Sequence, residues 1–93
     1  MQETFCIAAF RSRQQVLLLE SSLKREGLRV NVITTPRDVA LGCGLSVRFN
    51  MEDIDRVQRV ISAQQPTHLV GIYRVDRQGA GRPRLTPMGS YRR

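Results

Sequence analysis

The sequence predicts an α+β fold, with two helices covering one face of a four-stranded antiparallel sheet in the order β-α-β-β-α-β. Three observations predict it. Residues 1–76 contain four short apolar or alternating runs and two stretches with helical apolar spacing. Helix-start signals stand at Ser12 and Asn50, and stop signals at Gly27 and Pro66. The whole chain has 93 residues, of which 41% are hydrophobic, enough for one small globular domain with a thin core.

The first run, FCIAAF at residues 5–10, is apolar throughout and suits a central strand. Its two parities divide Phe5, Ile7 and Ala9 from Cys6 and Ala8. The bulkier set is expected to face the helices, which puts Cys6 mid-strand on the open face. Ser12 and Gln15 form a capping-box pair that starts a helix at Arg13. Val16, Leu19 and Leu23 form its apolar stripe, widened by Leu17, and Gly27 stops it. Residues 29–34 alternate Val30 and Val32 with Arg29 and Asn31, a second strand. Leu45, Val47 and Phe49 alternate with Ser46, Arg48 and Asn50, a third. Asn50 reads as the next N-cap, with Glu52 and Asp53 favoured in the first turn by the helix dipole. Ile54, Val57 and Ile61 carry the second helical stripe, and residues 68–75 make the fourth strand.

This order is that of a ferredoxin-like sandwich with strand order 4-1-3-2. In that topology the end of strand one, the start of helix one, the loop before strand three and the start of strand four share one end of the sheet. Arg11, Ser12, Arg13, Arg37, Cys43 and His68 are then expected to converge there. After Asp76 the composition shifts to Gly, Pro, Arg and Ser. Residues 1–76 are therefore expected to be the domain, and 77–93 a disordered basic tail.

Charge and cysteine content narrow the function classes. The net charge is +7, and residues 77–93 hold five arginines and no acid, so the body is close to neutral. The tail could bind nucleic acid or an acidic protein surface, or serve only as a solubilising end. Sheet-face RNA readout is disfavoured, because the expected open face lacks a central aromatic pair. No apolar run reaches the roughly 20 residues needed to span a membrane, and the first residues lack the features of a secretory signal. A cytoplasmic protein is expected. Two distant cysteines without CxxC spacing argue against a disulfide framework or a structural metal, and no cofactor is indicated.

The stretch TTPRDVALGCGLSVRF, residues 34–49, is the most informative. Pro36 biases Thr35 toward an extended conformation and ends the second strand. Gly42 and Gly44 flank Cys43 and are expected to leave its sulfur accessible. A helix N-terminus and arginines at the same end of the sheet would favour the thiolate, the form that attacks and carries sulfur. The competing reading is a small apolar residue at a strand entry.

Thr35, Pro36, Arg37, Cys43, Gly44, Arg48 and Phe49, with Phe10, Ser12, Glu20 and Gly27 upstream, resemble the pattern of the small selenium/sulfur carrier-like family. Thr34 departs from it where the family has proline, and Ala40, Leu41 and Gly42 depart where it has a serine-rich step. The resemblance implies a carrier rather than a turnover enzyme. Cys43 would take up sulfur or selenium as a persulfide or selenopersulfide from a donor protein and pass it to an acceptor. The alternative is a non-catalytic adaptor that binds a protein partner or, through the tail, nucleic acid. Cys6 reads as structural rather than as a resolving partner, and His68 as a solvated residue rather than a catalytic one. Arg37 and Arg48 are candidate anion contacts, set against turn solvation for Arg37 and plain surface exposure for Arg48.

Overall fold

The computed structural model describes residues 2–37, 39, 42–79 and 81–88. Its elements are β1 (Gln2–Phe10), α1 (Arg13–Arg25), β2 (Val30–Thr34), β3 (Leu45–Phe49), a 3₁₀ turn at Met51–Asp53, α2 (Ile54–Gln64), β4 (Leu69–Gln78) and β5 (Arg84–Pro87). They form an α+β structure with one open antiparallel sheet in the order β2-β3-β1-β4-β5. The sheet has five strands, which corrects the four predicted. The fifth lies inside the stretch expected to be disordered, and positions 80 and 89–93 of that stretch fall outside the described residues.

Local chemistry accounts for the helix ends. Ser12 is extended (φ −111°, ψ 123°) and its hydroxyl accepts from the Gln15 backbone N–H at 3.3 Å, which starts α1. At the other end Gly27 N–H donates to Lys24 C=O and Leu28 N–H to Leu23 C=O, the paired bonds of a Schellman stop. Asn50 makes no side-chain cap, contrary to expectation. The chain turns instead through the 3₁₀ segment, where Asp53 N–H bonds Asn50 C=O at 3.0 Å.

The core corrects the predicted facing of β1. Cys6, Ala8 and Phe10 pack beneath the helices with Val16, Leu19 and Leu23 of α1, Val57 and Ile61 of α2, and Val47 and Phe49 of β3. Leu17 points away from this stripe and is 47% exposed. Phe5, Ile7 and Val75 form a second cluster on the opposite face, joined by Ile33, Val39, Tyr73 and Leu85. Both faces of β1 are therefore buried. Phe5 and Ile7 can be buried away from the helices because Val39 and Leu85 pack over the face that a four-stranded sheet would leave open. Among the described residues, two aromatic rings lie on this face, Phe5, which is 2% exposed, and Tyr73, which is half-buried.

Arg48 lies over the Phe5 ring, 3.9 Å from its centroid, and its guanidinium donates to Glu3 at 2.7 Å. That hydrogen bond, and the charge behind it, hold the Glu3 carboxyl below its ordinary range. Its stabilising effect is present at neutral pH and is lost as pH falls through the carboxylate range.

β5 also changes the expected energetics of the C-terminal stretch. Its register runs from Tyr73↔Pro87 to Asp76↔Arg84, and Met88 N–H donates to Ile72 C=O at 2.9 Å. Leu85 and Met88 are half-buried against the two core clusters. Truncation after Gln78 should therefore lower stability by about 2 kcal/mol from lost apolar burial. A thermal melt should read this as a fall on the order of 10 °C. A melt unchanged by the truncation would mean β5 adds nothing to the fold.

Candidate functional site

The loop between β2 and β3 folds around one end of the sheet. Thr35 N–H donates to Gly44 C=O at 2.9 Å and closes the loop's base. The Thr35 and Ser46 hydroxyls are 2.6 Å apart, which satisfies the fully buried Ser46. Val39 N–H bonds Pro36 C=O at 3.0 Å in a tight turn, and the Val39 side chain joins the Phe5 cluster. Further on, Cys43 packs against the other cluster, the one beneath the helices. The loop thus touches both faces.

Its anchor is the end of β1. Register between β1 and β4 slips from Ala9↔Gly71 to Phe10↔Leu69, skipping Val70. There the Phe10 carbonyl accepts the Cys43 N–H at 2.9 Å. Gly42 has φ +137°, and a Cβ on it would lie 2.9 Å from that same carbonyl oxygen. Only glycine lets the loop come this close. The sequence suggested that Gly42 clears space around the sulfur; its contacts show that it brings the loop down onto β1. Gly44 has φ +88° with open space around it.

Cys43 is half-buried, and its Sγ points a weak 3.7 Å donation at Leu45 C=O. Cys6 is fully buried, and desolvation pushes its thiol up to about 11, with Arg74 opposing and Asp76 adding to the rise. Both are free thiols.

Among the described residues, one backbone hydrogen bond joins two of the predicted site residues directly, and Cys43 bonds the neighbouring Phe10. Arg11 N–H donates to His68 C=O at 2.7 Å, one residue beyond the Phe10 carbonyl that holds Cys43. His68 is exposed and braced: its N–H donates to Gln15 Oε1 at 3.1 Å, and its Nδ1 lies 3.1 Å from Gln15 Nε2 and 3.0 Å from Thr67 Oγ1. Ser12 caps α1 next to them. Arg11 and Arg37 are exposed, and among the described residues neither they nor His68 hydrogen-bonds the sulfur. Arg48 is committed to Glu3 and Phe5. Gln15 is the residue that sequence reasoning undervalued. Its spacing from Ser12 marked it as a capping partner, but its side-chain amide spans to Thr67 and His68, just ahead of β4.

Among the described residues, no helix is long and apolar enough to cross a membrane. A family model described as putative Se/S carrier protein-like matches residues 5–74, from Phe5 within β1 to Arg74 within β4. No curated protein and no solved structure matches the chain.

Proposed function

The chain belongs to the Se/S carrier protein-like family, and from that premise we propose that Cys43 is the atom carrier, loaded with sulfur or selenium by one protein and unloaded by another. One observation carries the reading. Of the two thiols, Cys43 alone has solvent contact, and it sits on a loop pinned to the end of the sheet. A carrier needs a nucleophile that two partner proteins can reach in turn. Cys6, enclosed by both helices, meets neither need.

Loading is a thiol exchange. The Cys43 thiolate attacks the terminal sulfur of a donor persulfide, R–S–SH; a new S–S bond forms on Cys43, the donor's S–S bond breaks, and the donor leaves as thiolate. Cys43 then holds –S–SH, and the outer sulfur passes to an acceptor nucleophile by the same exchange. Selenium follows the same course as –S–SeH. Gly42 and the Phe10 carbonyl fix the backbone of the attacking residue, and exposed Arg11 and Arg37 at this end of the chain fold suit an anionic cargo or an acidic partner surface. Strands β1 to β4 and the two helices supply the frame for the loop, with β5 added at the edge of the sheet.

Intact mass after incubation with a cysteine desulfurase and cysteine tests this. The chain should gain about 32 Da, one sulfur atom. Cys43→Ser should abolish the gain and Cys6→Ser should keep it. A gain that survives in Cys43→Ser, or no gain in the parent chain, overturns the carrier reading.

A further inference from the structure

Far from Cys43, β4 and β5 enclose a groove of about 420 Å³ lined by Arg74, Asp76, Gln78, Arg82 and Arg84. It lies near the other end of β1, where Thr4 pairs with Asp76, so about 20 Å of strand separates it from Phe10. Three guanidinium groups face one carboxylate there. That carboxylate is already engaged: Asp76 accepts from Thr4 Oγ1 at 2.9 Å, and an oxygen of it lies 3.1 Å from Arg74 Nε. The Asp76 side chain is 15% exposed and the Arg74 side chain 43%. The acid thus holds Arg74, and Arg82 and Arg84 are exposed on the β5 side of the groove.

We propose that this groove binds the phosphate backbone of a single-stranded nucleic acid. The lining is almost wholly polar, with no aromatic or aliphatic wall of the kind that holds a small organic ligand. Arginine forks match phosphate oxygens bidentately. An open cationic groove without a stacking ring reads charge and spacing rather than base identity, so binding is independent of sequence and sensitive to salt. The site belongs to the folded β4–β5 hairpin and does not depend on Cys43 or on the carrier reading.

Fluorescence anisotropy with a labelled oligouridine of about twenty nucleotides tests it, using the full chain across a salt series. The parent should bind at low salt. Arg82→Gln with Arg84→Gln should weaken binding about tenfold and reduce the log–log salt slope by about 1.4, two lost phosphate contacts on a single strand. Arg25→Gln with Arg59→Gln removes the same charge from exposed helix positions and should leave the slope unchanged. Thermal melts of both variants confirm that each is folded. Three results would overturn the proposal. These are no binding of the oligonucleotide by the parent; equal weakening in the two double variants, which makes net charge the cause; and displacement of the strand by polyglutamate or uridine monophosphate as effective as that by unlabelled oligouridine.

Discussion

Iodoacetamide at about pH 8 should modify Cys43 and leave Cys6 untouched until the chain opens. With its thiol pushed up to about 11, Cys6 is thiolate in only about one molecule in a thousand at that pH. A free cysteine, with a pKa of about 8.5, is about one quarter thiolate, so ionisation alone slows Cys6 by about two orders of magnitude. Burial slows it further, because the sulfur has no solvent contact and reagent can reach it only through local or global opening. Peptide mapping over a time course separates the two sites. The pH dependence has a definite sign. The folded value lies above the unfolded one, so the neutral Cys6 thiol contributes stability fully below about pH 9, and that contribution is lost as pH rises through about 11. Cys6 labelling should therefore appear together with alkaline unfolding. Labelling of Cys6 at pH 8 at a rate near that of Cys43 would mean that the packing of β1 under the helices is wrong.

The residues of β1 show where the sequence was legible and where it was not. Helix starts and stops follow from bonds within a few residues, so Ser12 and Gly27 mark α1 correctly. The strand Leu45–Phe49 was read to the residue because its alternation reports one core-facing side. β1 has no such alternation: Phe5 through Phe10 are all buried, so its period-2 signal vanishes and side-chain bulk pointed to the wrong face. What buries the second face is Val39 from a loop and Leu85 from β5, two contacts between segments far apart in the chain. β5 itself is four residues long, holds one arginine and one proline, and forms an edge, the composition by which edge strands resist further pairing and also resist detection. At the site, the Gly-Cys-Gly sequence marked Cys43 and its flexible neighbours. That Gly42 serves contact with Phe10 could not be read, because the carbonyl it meets lies more than thirty residues upstream.

Gly42→Ala should cost about 2–3 kcal/mol, near the upper end for a strained backbone residue. Two causes add. At φ +137° an alanine is strained in any surroundings, and its Cβ would lie 2.9 Å from the Phe10 carbonyl oxygen, a backbone atom held within the sheet. Relief requires the loop to lift, which lengthens the Cys43 N–H bond to that same oxygen. Gly44→Ala is the comparison. Its φ of +88° is also unfavourable, but no atom lies within 4 Å of the added Cβ, so it should cost about 1 kcal/mol. Denaturant melts of the two variants give the order directly, and equal losses would mean that the backbone angle, not the contact with Phe10, sets the cost. The same variant probes the thiol. With the loop lifted, Cys43 leaves the helix-side cluster and its sulfur gains solvent, so alkylation should quicken in Gly42→Ala while the melting temperature falls. Slower or unchanged alkylation would show that loop docking does not govern access to the sulfur.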